Sequence, residues 1–220
     1  MIPILFENSE VVLVDKPAEM LSVPSRFADD PRPILGRVLE EQLGRRLWPV
    51  HRLDFEVSGL MAFALSAGAH KKLNGAFERR EVHKTYVALA PAVNEQPKGV
   101  LFEWRSQILR GKKRSYESEQ GQEAITHAEW RREGISAPAG FVNLREWWLT
   151  PLTGKPHQLR FEMFKQGLPI VGDELYGSDI PWNIEGIALR AVRVEWPHAL
   201  ASELKLPPVS EVAGFEFTEL

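Results

Sequence analysis

PVHRLDFEVSGLMAF, residues Pro49 to Phe63, sets a histidine, an arginine and an aspartate (His51, Arg52, Asp54) just ahead of the apolar run Gly59 to Leu65. A short continuous apolar run after a polar turn reads as a strand covered on both faces. Charges at the mouth of such a strand are costly unless they are paired or used. The run therefore places a sheet at the centre of the fold, and the charges before it mark the end of that sheet where chemistry could occur.

Working outward, Val11 to Val14 is a β-branched strand ended by Asp15, Lys16 and Pro17. Ile34 to Leu47 carries Ile34, Leu35, Val38, Leu39 and Leu43 at spacings that put one stripe on a helix, and Ala67 to Glu81 repeats the pattern with Leu73, Ala76 and Phe77. Val82 to Ala90 alternates, with Lys84 and Tyr86 on one face. Further strands are expected at Val100 to Trp104, Ala124 to Trp130, Phe141 to Leu149 and Ile187 to Val194, with a short helix from His157 to Gln166. Pro24 to Pro33, Lys112 to Gln122 and the tail around Pro207 and Pro208 read as loops. Strands and helices mix without regular βαβ alternation, which favours an α+β domain with a mostly antiparallel sheet.

Length and composition set bounds on this reading. The chain has 220 residues, 44% of them apolar and 26% charged, enough for one substantial core and too ordered in pattern for a disordered protein. A single domain over residues 1–220 is expected. No segment approaches the roughly 20 apolar residues of a membrane span, and the start, MIPILFENSEVV, lacks a secretory signal's basic and apolar parts, so a cytoplasmic location is expected. The absence of cysteine removes disulfides and thiolate chemistry. The histidines show no metal-ligand spacing, and neither a metal nor an organic cofactor is expected. A net charge of −3 does not announce a nucleic-acid binder, yet Trp104 to Tyr116 holds Arg105, Arg110, Lys112, Lys113 and Arg114 with no acid among them. Charge alone leaves that run open between a solvated loop and a phosphate grip.

A second polar concentration lies in LTPLTGKPHQLRFEMFKQGLPIVGDELYG, Leu149 to Gly177, where Thr153, Gly154, Lys155, His157, Gln158 and Arg160 precede a glycine-rich, aspartate-containing turn. Together with HRLDFEVSGL (His51 to Leu60), this stretch resembles the RluA-type pseudouridine synthases, whose signatures read HRLD…SGL and GR-THQIR…GHPI-GD-LYG. Weaker echoes of that family fall in order at VLVDKPAEMLSVP (Val12 to Pro24), KTYVAL (Lys84 to Leu89) and GQEAITHAEW (Gly121 to Trp130).

The resemblance implies a mixed, mostly antiparallel bent sheet flanked by helices, and an enzyme that isomerises uridine to pseudouridine in a stem-loop of tRNA or rRNA. It assigns the essential carboxylate to Asp54, the ring against the target uracil to Tyr86, and the guanidinium that holds the carboxylate to Arg160. Arg52 could then occupy the space left by an extruded base. Expected RNA contacts are Arg52, His51, Lys84, Arg105, Lys112, Lys113, Arg114, His157 and Gln158, the last two framing the pocket by hydrogen bonds. No N-terminal RNA-binding module is expected ahead of the domain, and the protein is expected to be a monomer.

The chain departs from the family pattern at Val57, Pro156 and Arg190, where many relatives have threonine, threonine and histidine. These departures support an alternative, a catalytically silent RNA-binding or ribosome-assembly protein on the same fold. A glycosidic hydrolase would need a second acid in a matching motif, and none is present.

Overall fold

The structure is a computed structural model, and it describes residues 1–25, 27, 29–92, 97–135 and 143–215. The chain divides into two compact units, residues 1–84 with 191–213 and residues 85–190 with 214–220.

In the first unit, β1 (Ile4–Glu7) and β4 (Ser58–Ala64) flank β2 (Val11–Lys16), both antiparallel to it. The two-residue β3 (Trp48–Pro49) also pairs with β4. On the far side of β4 lies β10 (Leu189–Glu195), to which β11 (Val209–Glu211) pairs antiparallel. Alternation along β2 and β4 divides the core in two. Val11, Leu13, Leu60 and Ala62 face α2 (Ala67–Glu78) and α4 (His198–Leu204), whose Leu73, Ala76, Leu200 and Leu204 close that layer. Val12, Val14, Met61 and Phe63 face α1 (Leu35–Leu43) and pack on its Leu35 and Leu39. Both faces are covered, which accounts for an uninterrupted apolar run in β4.

α1 stops short of the expected Leu47 because Gly44 takes a left-handed conformation (φ 64°) and its N–H caps the Glu40 carbonyl. α2 starts at Ser66, whose hydroxyl accepts from the Ala69 N–H at 3.1 Å. At the start of β4, Gly59 (φ 113°) lies so close to β10 that an added Cβ would sit 2.1 Å from the Ala191 carbonyl oxygen. No other residue type fits there.

The second unit is built on β5 (His83–Pro91), β9 (Leu144–Pro151), β8 (Gln122–Ile135), β6 (Phe102–Arg110) and β7 (Ser115–Glu117), in that spatial order. The pairings β5–β9, β9–β8, β8–β6 and β6–β7 are all antiparallel. α3 (Gln158–Lys165) and a 3-10 turn (Glu174–Tyr176) pack on this sheet through Phe161 and Tyr176 against Ile108 and Ala124. In β5, Tyr86 through Ala90 are buried on both faces. The expected strand from Phe141 begins outside the described residues and is observed from Leu144. Elements not anticipated are β1, β3, β7, β11, α4 and the 3-10 turn. Among the described residues, no helix is long and apolar enough to cross a membrane.

Candidate active site

Asp54 sits in a turn that two buried side chains pin from either side. Lys16, at the end of β2, is fully buried, and its ammonium donates to Pro17 O (2.9 Å), Phe55 O (3.3 Å) and Val57 O (2.7 Å). Ser22 is the second pin: its hydroxyl donates to Leu53 O at 2.7 Å and accepts from Leu53 N–H at 3.0 Å. Half-buried Asp54 lies between them, its own carbonyl accepting from Val57 N–H at 3.2 Å. A carboxylate carried on so constrained a backbone is oriented before any substrate arrives. Burial draws the Lys16 pKa down to about 8, while the charges of Asp54 and Glu56 pull the other way. The guanidinium of Arg32, paired with Asp30, lies 4.9 Å from the centre of the Phe55 ring and covers the same turn.

His51, expected to touch RNA, is half-buried. Its ring stacks on Phe77 at 4.9 Å, and its Nε2 accepts from the Ala62 N–H at 3.0 Å. Burial, with a contribution from the Lys84 charge, lowers its pKa to about 3, so at neutral pH it is an uncharged prop under β4. Arg52, next in sequence, is exposed. Lys84 lies with Nζ 5.8 Å from the centre of the Phe77 ring, and burial lowers its pKa.

In the second unit, Tyr86 is buried on β5 opposite Leu149. Arg160 is 2% exposed and forms a two-pronged pair with Asp173, Nε to Oδ2 at 2.7 Å and Nη2 to Oδ1 at 2.8 Å. The fork fixes the guanidinium plane, and the Tyr176 ring lies 5.4 Å from its central carbon. Asp173 was visible in the sequence only as part of a glycine-rich turn. Its role comes from a left-handed Gly172 (φ 82°) and the 3-10 turn that follow the helix.

Gln158, expected to frame the pocket by hydrogen bonds, is buried. Its Oε1 accepts from Thr153 Oγ1 (2.8 Å) and Lys155 N–H (3.0 Å), and its Nε2 donates to Ile125 O (3.1 Å) and Thr126 Oγ1 (2.9 Å). All four capacities of the amide are spent inside the protein. α3 begins without a side-chain cap, and its preceding residue, His157, is left-handed (φ 53°) with Nδ1 3.3 Å from the Tyr176 hydroxyl.

The basic run is a hairpin rather than a loop. Arg105 stands on β6, where Glu103 (2.8 Å) and, across the strands, Glu123 (3.1 Å) offset its charge. Lys112 and Lys113 are exposed in the turn, which the Gly111 N–H closes onto Arg114 O. Arg114 reaches toward Leu175 O, 3.4 Å away, and lies over the Phe164 ring.

Comparison with known proteins adds the family. The family model described as RNA pseudouridylate synthase matches residues 10–166. The chain is 33% identical over 181 residues to the dual-specificity RNA pseudouridine synthase RluA of Vibrio parahaemolyticus, covering 80% of this chain and 69% of that protein. It is 32% identical to the RluA of Escherichia coli K12 (80% and 77% covered). An uncharacterised RNA pseudouridine synthase of Zymomonas mobilis is 32% identical over 222 residues, covering 96% of this chain and 97% of its own. Among solved structures, human RNA pseudouridylate synthase domain containing 1 shares the fold, with a TM-score of 0.74 at 24% identity over 90% of this chain and 79% of its own.

Proposed function

The chain belongs to the RNA pseudouridylate synthase family, and we propose that it isomerises a uridine in a stem-loop of tRNA or rRNA with Asp54 as the essential carboxylate. The observation that carries this reading is the doubly pinned Asp54 turn, which falls inside the matched residues 10–166.

The reaction breaks the N1–C1′ bond of uridine, rotates the freed uracil, forms the C5–C1′ bond, removes the proton from C5 and leaves a proton on N1. No atom is gained or lost. Asp54 supplies the negative charge at the electron-deficient sugar carbon, as nucleophile or as electrostatic stabiliser. The family resemblance gives Arg160 the role of orienting the reacting carboxylate and offsetting its desolvation. Tyr86 offers its ring to the uracil and its oxygen to the C5 proton. Arg52 fills the stack that the extruded nucleotide leaves. Lys112, Lys113 and Arg114 bind phosphate from the hairpin turn, and Lys84 and His157 line the approach. Arg105 adds little, because Glu103 and Glu123 already offset its charge. The protein acts as a monomer, in the cytoplasm, with neither metal nor organic cofactor.

Incubation of the protein with uridine-rich stem-loops tests the reading. Pseudouridine of unchanged mass is expected; released uracil, or binding without conversion, would overturn it. Mapping pseudouridine in tRNA and rRNA from cells with and without the gene then identifies the target base.

A further inference from the structure

Glu162 is the one carboxylate that α3 drives into the sheet, and the reaction described above makes no use of it. The residue is fully buried. Its Oε1 accepts from Ser106 Oγ of β6 at 3.2 Å, and its Oε2 accepts from Thr126 Oγ1 of β8 in a short hydrogen bond. Thr126 Oγ1 in turn accepts from Gln158 Nε2. Gln158 and Glu162 stand one turn apart on the same side of α3, so both of the helix's buried polar side chains on that side converge on one threonine. Arg160, two residues from each, points the other way and is gripped by Asp173. An eight-residue helix has little stability of its own, so its rotation is set by these buried anchors.

We propose that Glu162 is a positioning residue for Arg160: its carboxyl, taken up by the Ser106 and Thr126 hydroxyls, sets the rotation of α3 that delivers the guanidinium to Asp173. Because the anchor is ionisable, the positioning depends on pH. Burial raises the Glu162 pKa to about 7, and the Thr126, Ser106 and Gln158 side chains and the Lys165 charge oppose the rise. Those are the polar and charged groups that face it, from β6, from β8 and from α3 itself. Below neutrality the neutral carboxyl is spared the cost of burying a charge; above it, that cost outweighs the hydroxyl bonds and loosens the dock.

The inference rests on the role given to Arg160, so it is tested by one readout that needs no catalysis and one that does. The Arg160 Nε–H resonance is followed by 15N NMR from pH 5.5 to 8.5, alongside turnover of saturating stem-loop RNA, in the wild type, Glu162→Gln, Glu162→Ala and Thr126→Val. In the wild type, protection of the Nε–H relative to the base-catalysed exchange of a free arginine should fall, and turnover with it, as pH rises through about 7, and Glu162→Gln should flatten both profiles. Glu162→Ala should lower turnover roughly tenfold or more while RNA affinity stays within about twofold. Thr126→Val, which removes a bond favouring the ionised form, should move the midpoint to higher pH, and it serves if the alanine variant does not fold. A Glu162→Gln protein with the wild-type pH profile of the Arg160 Nε–H, or a folded Glu162→Ala protein with unchanged exchange, overturns the inference. Expected NMR behaviour in a protein that converts no uridine would instead overturn the proposed reaction and leave the positioning role standing.

Discussion

Replacing Lys16 by methionine tests how the Asp54 turn is held. The ammonium makes three bonds to carbonyls, and a charged donor contributes roughly 1.5–3 kcal/mol per bond, or about 4.5–9 kcal/mol in all. Against this stands its desolvation. A pKa lowered from 10.5 to about 8 corresponds to roughly 3 kcal/mol against the charged form. The balance predicts that Lys16→Met costs about 3 kcal/mol, a fall in Tm of about 2–4 °C per kcal/mol in a chain of this size. Because the turn slackens around Asp54, turnover should drop by about 10²-fold even where the variant is fully folded. The pH dependence separates this from simple loss of packing. Between about pH 8 and 10.5 the unfolded chain keeps a proton that the folded chain has released, so wild-type stability rises with pH across that window. The methionine variant should lack the rise. Thermal unfolding followed by circular dichroism at pH 7, 8.5 and 10, with single-turnover conversion at 25 °C, gives both quantities. Wild-type Tm, wild-type turnover and an unchanged pH slope in Lys16→Met would refute the reasoning.

Other substitutions probe the rest of the framework. Asp173→Ala leaves the Arg160 guanidinium, 2% exposed, without its forked partner and should cost about 3–5 kcal/mol in denaturant unfolding, while Arg160→Met/Asp173→Leu should recover part of that stability and none of the activity. Gly59→Ala forces a Cβ into the Ala191 carbonyl at a positive φ and should destabilise by more than about 3 kcal/mol, read as insoluble protein or a lowered Tm. Lys112→Ala/Lys113→Ala should flatten the dependence of RNA affinity on log salt by roughly 1–2 units, whereas Arg105→Ala, already offset by two glutamates, should change the slope little.

How far the fold could be read ahead of the structure depended on how local each signal was. β2 and β4 were legible because both faces are covered, which leaves unbroken apolar runs. β1 and β11 were not: their residues are largely exposed, and only pairing partners elsewhere in the chain make them strands. The prolines at 207 and 208 suggested a loose tail, yet they join α4 to β11. The basic run suggested a loop because the acids that balance Arg105 lie on either side of it, Glu123 on the neighbouring strand. Asp54, Tyr86 and Arg160 are proposed through motif resemblance. The groups that hold two of them were missed for one physical reason: Lys16 reaches carbonyls 39 and 41 residues away, and Asp173 meets Arg160 from the turn after the helix. The internal bonds of His51 Nε2 and of Gln158 were likewise not legible, since they close on residues elsewhere in the chain.

The central claim is that the carboxylate at position 54 does the chemistry. Asp54→Asn keeps the size and much of the hydrogen bonding of the side chain and removes only its charge. Single-turnover conversion of a stem-loop that the wild type modifies should be abolished in Asp54→Asn, with RNA affinity and Tm close to the wild type. Pseudouridine formed by that variant at a rate near the wild type's would contradict the account.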